Sequence, residues 1–524
     1  MGRRRETIPL PEPIIHRIQF LLTPKEAART TVISKSWHSA WLTRPNLDLD
    51  ETEFRETRRP NYNRYDYDSA EAMKDGFSEF AKKNIQRYVK SNLRIETFRL
   101  SLKLEPRTEW EAFSLSYELV LTALNLGAKH LDLKLNGSPG RKPFLPHEVL
   151  GAENLVGLCV EGYTINDLVL DQKVRCSKLE YLSLKHVNMN PGVVSKILSA
   201  CPLIEKLSLT EISNFKGGCL KSTFYDALIC SHKLTCLVLC NVKAVALFFS
   251  DDCLSSKFPS LKDLTLELFY LYNHNEAEKK LRVSIHSLER LQYVLRHGRQ
   301  VAVEFDVPCI REFTFKNECS DVPQVFIETT STEWESHVTM SRFYPNTSTF
   351  LGLSKFLTQL SQSKLYLSLK VDRLDAADYE MEYLQGLPCT FQVENLTIEI
   401  KYLMSLTSYA LFDGLFRLCR PKCITQHLLT QHPLSAGRFR NEHVLTNVFL
   451  CKIIERGMKG HYSYPSNFFH GLHDLEEAYM QAPSDEAVGV WRLLTGEFCS
   501  DIPAFASPDS YGKKVRFLLK WKEA

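Results

Sequence analysis

Glycine and proline are scarce in this chain, 22 and 23 in 524 residues. That scarcity excludes collagen-like and low-complexity designs, and 44% hydrophobic with 24% charged residues remain to build folded structure. Charge of one sign is missing too. Lys and Arg number 65 against 62 Asp and Glu, a formal net charge of +3, and the two signs are interleaved along the chain. No basic block offers a footprint to a phosphate backbone, so nucleic acid is not an expected partner. Long apolar runs are also absent: the longest, "CLVLCNVKAVALFF" (236–249), is interrupted by Asn241 and Lys243 and is too short to cross a bilayer. The opening "MGRRRETIPL" has no apolar segment and no small-residue cleavage site, and Glu6 stands where a myristoylation signal wants Ser or Thr. The expectation is a protein of the nucleus or cytoplasm, with no membrane partner.

Catalytic signatures are lacking as well. There is no Gly-x-Ser-x-Gly, no His-Glu-x-x-His and no paired Cys-x-x-Cys, and "GSPGRK" (137–142) has the wrong spacing for a phosphate loop. The 15 cysteines stand singly, several inside apolar runs, as small buried hydrophobes do in a reducing compartment. "CRPKCITQHLLTQH" (419–432) would bring Cys419, Cys423 and His427 onto one helix face with His432 nearby, but Pro421 spoils the first turn and the spacing is far shorter than in a zinc finger. "HGLHDLEEAYM" (470–480) would likewise put His470, His473, Asp474 and Glu477 on the polar face of an amphipathic helix. The sequence therefore assigns no catalytic residue, no metal ligand and no cofactor, and an enzyme is not expected.

What the chain has is a repeat. L-x-x-L-x-L recurs as "LVGLCV" (155–160), "LEYLSL" (179–184), "IEKLSL" (204–209), "LTCLVL" (234–239) and "LKDLTL" (261–266), with weaker copies at 95–100, 128–133 and 310–315. Leu131, Leu158, Leu182, Leu207, Leu237 and Leu264 follow one another with the period of a leucine-rich repeat, slightly stretched. Each L-x-L predicts a short strand with its leucines inward, and no single repeat buries that side without a neighbour. "SKILSACPLIEKLSL" (195–209) shows a whole unit: a helix through Ile197 and Leu198, a break at Cys201-Pro202, then the strand. Further on, 271–300 is polar and helix-like, 317–350 reads as loop or irregular repeat, the period is lost after about 403, and "GKKVRFLLKWKEA" (512–524) reads as a closing edge strand.

Ahead of the repeats, Leu10, Ile14, Ile18 and Leu22 fall at helical spacing, with Pro11 and Pro13 where a first turn tolerates them. A break at Thr23-Pro24 precedes a second helix with Ala27, Ala28, Val32 and Ile33, and Trp37 and Trp41 lie one turn apart on a third. Three such short helices cannot hide all these side chains, and the remaining apolar patch marks either an interface or a helical cap that shields the first repeat.

The stretch "LPEPIIHRIQFLLTPKEAARTTVISKSWHSAWLTRPNLDLD" (10–50) resembles the F-box of plant proteins in which an F-box precedes leucine-rich repeats. "RYVKSNLRIETFRLSLKL" (87–104), "SACPLIEKLSL" (199–209), "LFRLCRPK" (415–422) and "KVRFLLKW" (514–521) extend the resemblance along the chain. Thr23-Pro24 reverses the usual Pro-Thr, Ile33 replaces a usual Leu, and Ser36 stands where a larger basic residue is common. The resemblance implies an α/β fold: a three-helix F-box (6–52), a linker and helix (53–92), a leucine-rich-repeat solenoid with insertions and irregular later repeats (93–403), and a C-terminal repeat-like capping region (404–524). It further implies the substrate-recognition subunit of a Skp-cullin-F-box ubiquitin ligase. Leu10, Pro11, Ile14, Ile15, Ile18, Leu22, Val32, Ile33 and Trp37 would dock a Skp-type adaptor, and through it a cullin, while other subunits transfer ubiquitin.

The target would meet the strand residues that point away from the leucines. These are Asp132, Lys134, Cys159, Glu161, Val238 and Cys240, and above all Tyr181, Ser183, Lys185, Lys206, Ser208, Thr210, Thr265 and Glu267. This face is mixed in charge with an apolar middle, which suits a protein or small ligand better than nucleic acid. A second reading keeps the repeats but not the ligase: a scaffold or ligand sensor with a degenerate F-box. Residues 10–42 discriminate the two, and the sequence does not name the target protein.

Overall fold

The L-x-L alternation becomes a parallel ladder. The structure, a computed structural model, describes residues 10–58, 67–105, 109–137, 142–166, 174–212, 233–241, 258–269, 281–297, 302–322, 324–371, 391–400, 405–427, 454, 472, 474–481, 489–494 and 514–522. Two compact units divide the chain, Met1–Ala244 and Val245–Ala524.

The N-terminal unit begins with three short helices, α1 (Glu12–Leu21), α2 (Pro24–Thr30) and α3 (Lys35–Leu42). Seven strands of this unit then pair in chain order, all parallel: β1 (Asn46–Asp50), β2 (Thr97–Lys103), β3 (His130–Asn136), β4 (Gly157–Glu161), β5 (Tyr181–Lys185), β6 (Lys206–Thr210) and β7 (Cys236–Cys240). The register follows the sequence repeat, with Leu131, Leu158, Leu182, Leu207 and Leu237 as successive Cα partners. A second inward row, Leu133, Val160, Leu184, Leu209 and Leu239, runs beside it. All ten are at most 2% exposed, and burying each such side chain is worth about 1.5–3 kcal/mol. Residues 46–50, grouped with the helices in the sequence reading, alternate as "NLDLD" and supply the first strand of this ladder.

Each strand from β3 to β7 is followed by a residue in the left-handed region: Gly137, Gly162, His186, Glu211 and Asn241. The amide of Gly162 donates to Lys185 O, that of His186 to Thr210 O and that of Glu211 to Cys240 O, at 3.1, 2.9 and 2.8 Å. The turn thus carries the ladder one bond further into the next repeat. At Gly162 (φ 85°) a Cβ would lie 2.5 Å from Leu135 O, so the turn needs glycine for space as well as for its dihedral.

Helices fill the return side in several steps of this unit. Between β1 and β2 lie α4 (Glu51–Arg58) and α5 (Tyr67–Lys90), and α6 (Glu109–Asn125) occupies the long step from Thr97 to its partner His130. After the single turn α7 (His147–Leu150), α8 (Pro191–Ala200) spans the step from Tyr181 to Lys206. α8 buries Val193, Val194, Ile197 and Leu198. The Tyr163 hydroxyl, 2.7 Å from Ser116 Oγ on α6, is fully buried, and desolvation raises its pKa.

The C-terminal unit keeps the strand ladder and changes its return. β8 (Asp263–Phe269), β10 (Arg290–His297), β12 (Glu312–Asn317), β14 (Glu335–Met340), β15 (Lys364–Val371), β16 (Phe391–Ile400) and β17 (Cys419–His427) pair in parallel. Between the earlier ones run β9 (Leu281–Ser284), β11 (Val303–Asp306) and β13 (Val325–Glu328), which form a second parallel sheet. The steps from Arg290 to Glu312 and from Glu312 to Glu335 return through β11 and β13, and that from Asp263 to Arg290 through β9. Where the step lengthens, from Glu335 to Lys364, helix α9 (Thr347–Thr358) returns. In the similar step from Asn395 to Cys423 it is α10 (Ser405–Leu418).

Several sequence expectations are corrected here. Part of 271–300, expected to be helix-like, is β9 and β10, because so short a strand with one buried side has no period to separate it from a helical turn. The repeat does not stop near 403, since β17 adds a parallel strand beyond it. Two further strands follow, β18 (Leu475–Gln481) and β19 (Arg492–Leu493), paired antiparallel. β20 (Lys514–Trp521) is no edge: it runs antiparallel between β17 and β18. The tempting clusters on imagined helices lie on strands instead, Cys419, Cys423 and His427 on β17 and Glu477 on β18; His432, His470 and His473 lie outside the described residues.

Candidate partner-binding surfaces

The first surface is built by α1, α2 and α3. Gln19, buried on α1, holds them together: its Nε2 donates to Thr30 Oγ1 at 3.0 Å and to Trp37 O at 2.9 Å. Thr23-Pro24, unusual for the resembling motif, has a local reason. Thr23 caps α2 with Glu26 in a reciprocal capping box, Thr23 N donating to Glu26 Oε2 at 3.0 Å and Glu26 N to Thr23 Oγ1 at 3.3 Å, with Pro24 at the first helical position. The bond from the Thr23 backbone lowers the Glu26 pKa. Behind the helices Arg44 donates to Leu22 O at 2.5 Å and Tyr88, on α5, donates to Arg44 O at 2.8 Å, while Arg87 lies 5.2 Å over the Trp41 ring.

The nine sequence-chosen adaptor residues divide on this scaffold. Leu10, Pro11, Ile14, Val32 and Ile33 are exposed, Val32 and Ile33 by 88% and 62%. Ile18, Leu22 and Trp37 are half-buried. Ile15 points inward and, like Ala27 and Ala40, is at most 2% exposed, because one helix face must close the three-helix core. Leu21, 72% exposed, belongs to the outward set; the spacing from Leu10 missed it by following one face only.

The second surface is the open side of the parallel strands in the N-terminal unit. Tyr181 pairs with Lys206, Ser183 with Ser208 and Lys185 with Thr210, so these six chosen residues form three adjacent rows. Lys185 Nζ is 2.9 Å from Glu161, and the Cys159, Ser183, Ser208, Val238 row beside it carries no charge. Thr265 and Glu267 belong to the other unit. Glu267 is also mostly buried and 2.9 Å from Arg296, so its carboxylate serves the fold.

Toward β1 the same face becomes ionic: Arg99 Nη1 lies 3.5 Å from Asp48 and its Nε 3.5 Å from Asp132, whose carboxylate is 3.1 Å from Lys134. Burial, opposed by Arg99 and assisted by the neighbouring Asp50, Glu53 and Asp132, pushes the Asp48 carboxyl up to about 6. The sequence reading missed Asp48 and Arg99; the alternation of "NLDLD" (46–50) is the signal that would have found the first. In the C-terminal unit, the ladder stacks His337 on Tyr366, ring centroids 4.6 Å apart, beside Asn395, which accepts from Thr425 at 3.0 Å and donates to Thr397 at 3.2 Å. No pattern in the sequence singled these out. Among the described residues no cluster of three or more His, Cys, Asp or Glu is placed to hold a metal, and no helix is long and apolar enough to cross a membrane.

Known proteins resemble part of the chain. Residues 120–293 match the family described as "FBD-associated F-box protein At5g56370, LRR repeats". "F-box/LRR-repeat protein At3g59210" of Arabidopsis thaliana is 27% identical over 281 residues, 53% of this chain and 51% of that protein. "F-box/LRR-repeat protein At3g59200" is 29% identical over 39% of this chain and 36% of its own length, and "Putative F-box/LRR-repeat protein At3g59230" 25% identical over 60% of each, both from Arabidopsis thaliana. The chain thus spans about half the length of the relatives it matches.

Proposed function

Given that this chain is a plant-type F-box/leucine-rich-repeat protein, we propose that it is the non-catalytic substrate receptor of a Skp-cullin-F-box ubiquitin ligase in the nucleus or cytoplasm. Helices α1 to α3 are its F-box and the repeats form a solenoid. A Skp-type adaptor docks on Leu10, Ile14, Leu21, Val32 and Ile33, and a target protein docks on the open strand rows around Tyr181, Lys185 and Lys206. The chain does no chemistry. It holds the target's lysines near a charged conjugating enzyme, and this raises their effective concentration.

The observation that carries this reading is the exposed apolar group on α1 to α3. A helical cap for the first repeat would turn such side chains inward, whereas here Gln19 fixes the three helices with Val32 and Ile33 outward. The test is affinity capture with the double variant Ile14→Asp, Val32→Asp. Both positions are exposed, so the fold tolerates the change, while two carboxylates against an apolar partner cost at least ~3 kcal/mol, on the order of a hundredfold in affinity. Adaptor and cullin are captured by the parent chain and lost from the variant. A folded variant that captures them equally well sinks the interface assignment, and a parent chain that captures neither leaves the scaffold or ligand-sensor reading in its place.

A further inference from the structure

Cys176 and Cys201 occupy the same place in successive repeats. Each stands five residues before a strand, and the strands' first residues, Tyr181 and Lys206, are Cα partners. The amide of Glu205 donates to Glu180 O at 2.8 Å, so the register already holds before the strands begin. Two residues in register on neighbouring repeats are separated by roughly the strand spacing, about 4.8 Å, inside the roughly 4.4–6.8 Å Cα range that a disulfide spans. Their sulfurs face each other at 3.2 Å, and both residues are at most 1% exposed. A small rotation of each side chain closes the remaining gap to about 2.05 Å.

We propose that Cys176 and Cys201 are a covalent modification site, oxidised by a hydroperoxide to a disulfide that staples the two repeats displaying Tyr181, Ser183, Lys185, Lys206, Ser208 and Thr210. The Cys176 thiolate attacks the outer oxygen of the O–O bond, which breaks, forming a sulfenic acid; the departing alkoxide takes up the proton that Cys176 gave up and leaves as an alcohol, or as water when the oxidant is hydrogen peroxide. The Cys201 sulfur then attacks the Cys176 sulfur, the S–O bond breaks, and water leaves with the Cys201 proton. Two electrons pass from the two sulfurs to the peroxide, so two thiols and ROOH give the disulfide, ROH and water. A hydrogen bond from the Cys201 thiol favours the Cys176 thiolate for the first step. Because both sulfurs are shielded, the oxidant reaches them during local opening.

The staple closes a loop between Cys176 and Cys201 and ties the turn before β5 to that before β6. It lies on the chain segment entering the strands and leaves the open-face side chains unmodified. Oxidation therefore fixes the spacing of the two repeats without consuming a contact residue.

The experiment treats the purified full-length chain with hydrogen peroxide, blocks remaining thiols, and maps non-reduced tryptic peptides by mass spectrometry. The expected species joins Cys176-Ser177-Lys178 to the peptide 197–206, and it disappears on reduction with dithiothreitol. The thermal midpoint rises by several degrees on oxidation and returns on reduction. Cys201→Ala abolishes both the linked peptide and the shift; Cys176→Ala serves as the same control if the first variant fails to fold. Recovery of Cys176 and Cys201 as blocked thiols or as sulfinic acids, their linkage to other cysteines, or an equal thermal shift in a folded variant overturns the proposal. The mapping of the parent chain decides the question by itself if neither variant folds.

Discussion

The two units solve one packing problem with different side chains. In the N-terminal unit the inward rows are leucine and valine, and helices close the return side of long steps such as Thr97 to His130. In the C-terminal unit the steps from Arg290 to Glu312 and from Glu312 to Glu335 are shorter, and a second sheet closes them. Their core is aromatic: Tyr293, Phe305, Phe313 and Phe315 pack with ring centroids 5.6 to 6.4 Å apart, and Phe356 of α9 lies 5.0 Å from Phe315. Length alone does not choose the return: the step from Tyr181 to Lys206 carries α8, whereas the longer step from Asp263 to Arg290 carries β9. Where the return is a strand, large rings fill the space behind the ladder.

The comparison breaks most visibly at Phe315. Phe315→Ala removes a ring that packs against Tyr293, Phe313 and Phe356 and leaves a cavity among them, at a cost of about 3–5 kcal/mol. Leu182→Ala, its leucine counterpart, costs about 2–4 kcal/mol. Native-state hydrogen exchange read separately over 281–317 and 157–210 checks both, and a larger loss at Leu182 means that the rings do not carry the strand-backed repeats.

A somewhat smaller effect probes the left-handed turns of the N-terminal ladder. Gly162→Ala brings a Cβ within 2.5 Å of Leu135 O at φ 85°, so backbone strain and the displaced carbonyl together cost about 2–3 kcal/mol. Gly127→Ala, also at positive φ but with nothing within 4 Å, costs only the dihedral share, roughly 1 kcal/mol. Equal losses in chemical denaturation would mean that the close approach at Gly162 does not matter.

Asp48 gives a stabilising change with a defined pH window. Its folded pKa lies above the ordinary carboxylate value, so the native state binds the extra proton, and stability falls as pH rises from about 4 through about 6. Asp48→Asn removes that penalty and raises stability by about 1–3 kcal/mol near pH 8, with little difference from the parent near pH 4. Arg99 retains Asp132 in the variant. Denaturation midpoints of both proteins across that range test the sign, and a variant destabilised at pH 8 shows that the Arg99 attraction outweighs desolvation.

The smallest effect on stability belongs to the open face. Lys185→Glu with Lys206→Glu changes two exposed side chains and shifts stability by no more than ~1 kcal/mol, mostly from the lost pairing of Lys185 with Glu161. If an acidic target group docks there, the same pair weakens target capture by on the order of a few kcal/mol while the adaptor is still captured. Loss of the adaptor instead would place the two surfaces in one binding event.

The regular strands of the N-terminal unit were legible because leucines recurring at one near-constant interval leave few registers that bury them all. The helices α1 to α3 were legible from their spacing and breaks, and the chosen rows around Tyr181 and Lys206 do share one face. The site was less so. Leu21 and Ile15 exchange the roles that spacing suggests, because a three-helix group decides inside from outside by how the helices cross. Glu267 alternates like a surface residue yet is mostly buried beside Arg296. Asp48, Arg99 and Asp132 come from three separate strands, and only the ladder makes them neighbours.

By itself the sequence determined the strand side of this protein: which residues face inward, how often a strand returns, and where an apolar helical group stands outside the repeats. The periodic placement of leucine acts within one turn of the repeat, so it is written locally. The tertiary structure alone decided the return side, whether β9, β11 and β13 or a helix, and the placing of β20 between β17 and β18. A short apolar run suits either conformation, and the choice falls to the backbone hydrogen bonds and burial that neighbouring strands supply.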